Sequence, residues 1–291
     1  MQKIILKNVQ DFNLIDIFDC GQCFRWNKNT DNTYTGVVGQ CVLNVRKLEN
    51  NDVEIKVYTN SNMNEKEIFD FCSKYFDLNR DYAKIKNQLS KIDDNMKISI
   101  NYGSGIRILN QDLWETIISY IISANNNIPR IKGIIEKISK KYGNEISVDG
   151  KEYYTFPTPE QLSQATVEDL RTLGLGFRDK RVYETTQIVL KKEIDLKELP
   201  EKTTQELKDI LQQLPGVGPK VADCILLFST LKRIEVFPVD VWVRRVMNDL
   251  YINNPDENKI NKKEIEKLAQ TKFKDLAGIA QQYLYYWKRE A

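Results

Sequence analysis

The segment TTQELKDILQQLPGVGPKVADCILLF, residues 203–228, decides the fold. Thr203 and Glu206 stand at the spacing of a capping box. Leu207, Ile210, Leu211 and Leu214 follow at i, i+3, i+4 and i+7, the apolar face of an amphipathic helix. Pro215-Gly216-Val217-Gly218 stops that helix, and Pro219 suits the first position of a second one. Val221, Cys224, Ile225 and Phe228 form the stripe of the second helix. Gly216 and Gly218 carry no Cβ, so the turn is free to take φ > 0 and its amides approach a phosphate closely. The second helix adds unpaired N–H groups and the positive end of its dipole at the same place. Taken alone, such a turn serves packing as readily as phosphate binding.

Two residues near this hairpin carry reactive chemistry. Lys220 falls in the first turn of the second helix, where the dipole disfavours a cation. Burial in a pocket acts the same way. An ordinary lysine has a pKa of about 10.4 and is almost wholly protonated at neutral pH, so both effects are expected to favour a neutral, nucleophilic amine. The bland alternative is a lysine that simply touches phosphate. Asp240 precedes another apolar-striped helix with Val243, Val246 and Leu250. An aspartate there is an N-cap first, but a carboxylate fixed by capping also suits stabilising a cation or relaying a proton. Cys224 is four residues after Lys220 and shares its face. It reads equally well as a buried stripe residue.

Composition removes whole classes of chemistry. The chain of 291 residues contains no histidine, so no Ser-His-Asp triad, Cys-His pair or His-ligated metal exists in it. Acid–base and nucleophilic work falls to Lys, Asp, Glu, Cys, Tyr or water. Five cysteines at irregular spacing argue against a secreted disulfide framework, and Cys20-x-x-Cys23 has no second pair to complete a metal site. Lys plus Arg number 43 against 41 Asp plus Glu, so any contact with a polyanion depends on where charge is placed. No apolar run approaches the ~20 residues of a membrane span, and the first residues read as no signal peptide. A cytoplasmic location without membrane association is expected.

The rest of the chain divides by texture. Thr33 to Val45 and Val53 to Tyr58 are rich in β-branched residues, and Val53, Ile55 and Val57 alternate with charged positions as in a half-buried strand. Helical spacing begins at Asn64 with Ile68, Phe71, Cys72 and Tyr75. Beyond Gly105 the chain turns helical, with Gln111 to Ala124 as a heavily apolar central helix. Asn125-Asn126-Asn127 ends it and a helix around Ile131–Ile138 follows. Tyr153 to Pro159 reads as loop, Thr158-Pro159-Glu160 opens a short helix, and Asp179 to Lys191 forms another. The expected fold is α+β. An N-terminal antiparallel sheet domain (1–105) packs on a mainly helical domain (106–291) that holds the helix–hairpin–helix.

Leu214-Pro215-Gly216-Val217-Gly218-Pro219-Lys220-Val221-Ala222-Asp223-Cys224, with Pro238-Val239-Asp240-Val241, resembles the helix–hairpin–helix DNA glycosylase superfamily. Within it the chain is similar to the 8-oxoguanine DNA glycosylase/AP lyase branch, from Gly21 nearly to the C-terminus. The resemblance implies that Lys220 attacks C1′ of the damaged nucleotide, forms an imine and allows β-elimination, with Asp240 as carboxylate partner. It implies that Lys220 and Cys224 flank the extruded base, with an ammonium–thiolate dipole between them. Gly21, in Gly21-Gln22-Cys23-Phe24-Arg25-Trp26, would offer its carbonyl to the N7–H that 8-oxoguanine has and guanine lacks. Gln281 would read the base edge and Tyr285, where the family more often has Phe, would cover its face.

Ser123-Ala124-Asn125-Asn126-Asn127-Ile128-Pro129-Arg130 matches the family segment that enters the vacated stack, with Asn125 and Arg130 at the reading positions. Gly174-Leu175-Gly176-Phe177-Arg178 matches a second such element. Phe177 would be a wedge and Arg178 a hydrogen-bond donor to the orphaned cytosine. Trp242 stands where the family commonly has a DNA-contacting His, which puts that contact in doubt. No cysteine follows Cys224, so the iron–sulfur cluster of some superfamily members is excluded. The resemblance thus implies a monomeric enzyme without metal or cofactor, acting on double-stranded DNA that contains oxidised guanine. The competing readings are a water-using glycosylase for alkylated bases, which Lys220 disfavours, and a non-catalytic binder of damaged DNA, which needs neither Lys220 nor Asp240.

Overall fold

A computed structural model describes residues 1–256 and 259–290. The chain opens with strand β1 (Gln2–Leu6) and a single helical turn α1 (Leu14–Phe18), then β2 (Trp26–Lys28), β3 (Tyr34–Val38), β4 (Cys41–Lys47) and β5 (Val53–Thr59). These make one five-stranded antiparallel sheet in the order β1-β5-β4-β3-β2. Val53, Ile55 and Val57 are fully buried while Glu54 and Lys56 face outward, as their alternation predicts. The β-branched stretch from Thr33 to Val45 is two strands, because Gly39 takes φ +55 and turns β3 back on β4. Helix α2 (Glu65–Tyr75) covers the sheet, capped reciprocally by Asn64 and Glu67. Phe18 stacks on Trp26 at 4.0 Å in the core of this half, and Trp26 Nε1 donates to the Tyr75 hydroxyl at 2.8 Å.

The helical half follows as α3 (Tyr82–Ser90), α4 (Asp94–Tyr102), α5 (Leu113–Ser123) and α6 (Ile128–Tyr142), then a short hairpin of β6 (Glu145–Val148) and β7 (Lys151–Tyr154). Tyr153 and Tyr154 thus end a strand, and only the residues after them are loop. Helices α7 (Pro159–Leu162), α8 (Val167–Leu170), α9 (Asp179–Leu190), α10 (Thr204–Leu211), α11 (Pro219–Phe228), α12 (Val241–Met247), α13 (Lys262–Phe273) and α14 (Ala277–Glu290) complete it. Ile85, Leu89, Met96 and Ile100 send the apolar faces of α3 and α4 into the helical core. Residues before 105 therefore contribute to both halves. Among the described residues no helix is long and apolar enough to cross a membrane.

Helix α5 is the expected central helix, with every residue from Trp114 to Ile122 buried except Glu115. Helix α11 departs from a simple stripe. All residues from Val221 to Phe228 are buried, because α5 and α10 pack against it and Leu227 meets Gly278 on α14. Its one buried charge, Asp223, is neutralised by Lys208 of α10 at 2.8 Å.

One buried side chain joins the halves. Gln22 is 0% exposed. Its Nε2 donates to the carbonyls of Ile17 (2.9 Å) and Arg107 (2.8 Å), and its Oε1 accepts the Leu109 N–H at 2.8 Å. Its own carbonyl accepts Gln111 Nε2 at 2.8 Å and the Tyr120 hydroxyl at 3.3 Å. Gln22→Leu keeps most of the volume and orphans the Leu109 N–H and the Arg107 carbonyl in the interior. A loss of about 2 kcal/mol or more is expected, read as a lower denaturant midpoint at unchanged slope; an unchanged midpoint would remove Gln22 from this role.

Candidate active site

Helix α11 begins beside a cavity, and the hairpin before it sets where that beginning lies. Gly216 has φ +88, a conformation that favours glycine, and a Cβ built there would lie 2.8 Å from Arg181 Cδ. Gly218 differs from the sequence reading. It is the extended N-cap of α11, with φ −89, so it does not need to be glycine for its backbone. Nothing lies within 4 Å of a Cβ built on it, so the face of the hairpin is open there.

Lys220, in the first turn of α11, is half-buried with Nζ 5.7 Å from the centre of the Tyr120 ring. Cys224, one turn on, is 4% exposed. Asp240 enters from the opposite wall as the N-cap of α12, its Oδ1 accepting the Val243 N–H at 2.7 Å. Gly21, Gln281, Gln282 and Tyr285 close the cavity, with Tyr120, Phe228, Pro238 and Val243 between them. Tyr120 and Phe228 stack at 5.8 Å as its aromatic floor. The residues proposed from sequence for the reaction and the damaged base thus line one space.

The electrostatics reverse one expectation. Cys224 first, then Asp240, hold the Lys220 ammonium above the usual lysine range, and they outweigh the burial that opposes them. The reading from the helix dipole and burial alone favoured a neutral amine. It left out the carboxylate that α12 brings across the cavity. Burial pushes the Cys224 thiol up to about 11. The Lys220 charge opposes that rise, so each member of the pair favours the charged form of the other.

Gly21 lies in a turn whose carbonyls are divided among fixed partners. Arg289 Nη2 donates to the Asp19 carbonyl, Gln282 Nε2 to the Cys20 carbonyl at 2.7 Å, and Gln111 and Tyr120 to the Gln22 carbonyl. The Gly21 carbonyl accepts no hydrogen bond among the described residues. Gln281 is 5% exposed and its Oε1 is buried without a partner. The cavity wall thus carries two open acceptors, a demand for donors that a ligand can meet. Cys20 and Cys23, by contrast, donate to the carbonyls of Ile17 and Phe18 at the end of α1.

A second surface lies beyond the hairpin. The three asparagines between α5 and α6 do different work. Asn126 Nδ2 donates back to the Ile122 carbonyl at 3.1 Å, and Asn127 Oδ1 caps α6 through the Arg130 N–H at 3.0 Å. Asn125 is exposed with φ +51, and its side chain has no partner among the described residues. Phe177 is 56% exposed, with the guanidinium carbons of Arg178 and Arg181 at 4.2 and 5.1 Å from its ring centre. Arg178 departs from the expectation that it reaches a base. It is 2% exposed, and its guanidinium donates to the carbonyls of Ala124, Asn125 and Leu175. It braces the Asn125 loop, since three carbonyls converge where a base contact was expected. Exposed Arg130 reaches the Gly174 carbonyl at 3.3 Å, and Trp242 is 38% exposed at the start of α12.

Sequence reasoning missed Tyr120, Gln282, Arg181 and Arg289. The first two sit in apolar helix stripes and look like core. Arg289 had a signal: with Gln281 and Tyr285 it forms an i, i+4, i+8 row on α14. Among the described residues no group of three or more Cys, Asp or Glu is placed to hold a metal ion.

Comparison with known proteins identifies the family. Residues 4–117 match the family profile described as 8-oxoguanine DNA glycosylase, N-terminal domain. Residues 118–275 match the HhH-GPD superfamily base excision DNA repair protein profile. The N-glycosylase/DNA lyase of Saccharomyces cerevisiae is 32% identical over 276 residues, covering 86% of this chain and 71% of the yeast protein. A probable N-glycosylase/DNA lyase of Methanothermobacter thermautotrophicus is 32% identical over 219 residues, 68% of each chain. The 8-oxoguanine glycosylase/lyase of Clostridium acetobutylicum, solved with double-stranded DNA containing cytosine opposite 8-oxoguanine, superposes with a TM-score of 0.92 at 43% identity. That superposition covers 99% of this chain and 95% of the other. The chain belongs to the HhH-GPD superfamily of base excision DNA repair proteins and, within it, to the 8-oxoguanine N-glycosylase/DNA lyases.

Proposed function

We propose that this protein excises 8-oxoguanine paired with cytosine from duplex DNA through an imine on Lys220, and then nicks the strand by β-elimination. The observation that carries the reading is the meeting of Lys220 and Asp240 with the open acceptors of Gly21 and Gln281 around one cavity. The partner is double-stranded DNA, gripped by the hairpin at Gly216 and Gly218. The working unit is a monomer of the cytoplasm.

The steps follow from the residues. The flipped base lies between Lys220–Cys224 and the Tyr285 ring. The Gly21 carbonyl accepts the N7–H of 8-oxoguanine; guanine has a bare N7 there, which sets acceptor against acceptor. The Gln281 Oε1 accepts a donor from the base edge. As the base departs, the sugar gains positive charge, and Asp240, held by the Val243 N–H, faces it. The C1′–N9 bond breaks, a Lys220 proton passes by way of the Asp240 carboxylate to the departing base, and Nζ bonds to C1′. The sugar ring opens to the imine, a proton leaves C2′, and the C3′–O bond breaks with the phosphate as leaving group. Water then hydrolyses the imine and returns the lysine. Asn125 and Arg130 fill and read the vacated space, and Phe177 wedges the stack. Burial first, then the charges of Arg130 and Arg181, lower the Arg178 pKa, and the three guanidinium groups together form a positive patch suited to phosphates.

Three measurements test this. Borohydride added to the protein with an 8-oxoguanine:cytosine duplex should trap a covalent adduct. Lys220→Gln should remove the adduct yet keep DNA affinity; an undiminished adduct places the nucleophile elsewhere. Asp240→Asn should slow base release by about a hundredfold or more, and a near-normal rate in single turnover reduces Asp240 to a cap. Finally, Lys220 in the DNA-free protein should be acylated about tenfold faster per pH unit through neutrality, with no levelling below about pH 10. The sign follows from the raised Lys220 pKa: the ammonium persists at least as high as in an ordinary lysine. Peptide-resolved labelling that levels off near pH 8 would contradict it.

A further inference from the structure

We propose that Arg289 is a positioning residue that sets the Gly21 carbonyl against the Tyr285 ring and so fixes the gap in which the oxidised base is recognised. The inference rests on the reading of Gly21 and Tyr285 given above and adds to it the group that holds them in register. Arg289 projects from the last turns of α14, four residues after Tyr285, and its side chain is 19% exposed. Its guanidinium lies 5.2 Å from the Tyr285 ring centre, and Nη1 approaches the Tyr285 hydroxyl at 3.4 Å. Nη2 donates to the Asp19 carbonyl, and Nε to Glu290 Oε1 at 2.7 Å. One planar cation thus ties the turn and the aromatic plate together through separate edges.

The close approach depends on glycine. A Cβ built on Gly21 would lie 2.7 Å from Arg289 Nη1 and 3.5 Å from Tyr285 Cε1. The missing side chain is the space that the guanidinium occupies. Gln282, on the same helix, holds the next carbonyl, that of Cys20. Helix α14 therefore takes two successive carbonyls of the turn and leaves that of the third, Gly21 in the cavity wall, without a donor among the described residues. Without Arg289, the Asp19 carbonyl competes for water, the turn loses one of its two ties to α14, and the Tyr285 hydroxyl loses its partner. The hydroxyl that Tyr carries and Phe lacks has its partner in Arg289.

The reaction itself supplies a selective test. An abasic site has no base to recognise, yet it still needs Lys220 and the hairpin. Arg289→Met should slow single-turnover excision of 8-oxoguanine opposite cytosine by about tenfold or more, while cleavage of a preformed abasic site stays within about twofold. Arg289→Lys keeps one donor for the Asp19 carbonyl and should show a smaller loss confined to the same substrate, and it carries the comparison if the Met variant does not fold. Equal losses on both substrates mean general structural damage and overturn the proposal, as does unchanged excision. Wild-type protein that nicks abasic DNA but never releases 8-oxoguanine sinks the functional reading instead, so the two failures are told apart.

Discussion

The structure depends on a buried amide. Gln22 sits at the seam between the sheet half and the helical half, and its donors and acceptors are all engaged by backbone or by side chains of α5 and its approach. In a low-dielectric interior each of those bonds is costly to leave unmade, so the side chain admits one arrangement of the two halves. Gly21 is the next residue back along the chain. The same bonds that join the halves therefore place its carbonyl, so the recognition atom proposed for this site is held although it resides in a turn, an element otherwise prone to move.

Around that fixed point the cavity is assembled from elements far apart in sequence. Helix α11 supplies a lysine and a thiol, α12 a carboxylate, α14 an amide and an aromatic ring. Each lies in or at the end of a helix with a packed apolar side, so side-chain positions follow from core packing. The charge balance follows from the same convergence. The helix dipole and burial push Lys220 toward the free amine, yet Cys224 of its own helix and the Asp240 carboxylate hold the proton on. The resting site thus stores an ammonium. The proposed attack by Lys220 requires that this proton leave once DNA has filled the cavity, when water exclusion strengthens every local interaction.

The outer surface shows how neighbouring residues of one type are given unlike tasks. Asn126 and Asn127 complete helix ends, while Asn125, exposed and with a positive φ, keeps its side chain without a partner among the described residues. Arg178 supports that loop from beneath while Arg130 and Phe177 remain exposed. A loop held by its carbonyls from below leaves side chains free above. That suits the proposed entry of this segment into a base stack without collapse.

The sequence by itself determined the helix–hairpin–helix, the candidate lysine and carboxylate that the structure brings to one cavity, and the central position of α5. Those follow from local rules: apolar spacing, capping residues, and glycine and proline at a turn act over a few residues. It also exposed the alternation of β5. It did not reveal β1, whose five residues QKIIL pair with a strand about fifty residues away, or the placing of α3 and α4 in the helical core. Only the tertiary structure decided that Arg178 braces a loop, that Lys220 holds its proton, and that Arg289 meets Gly21. Each of these depends on the distance between groups remote along the chain, and electrostatic and hydrogen-bond energies vary too steeply with distance and burial for residue order alone to fix them.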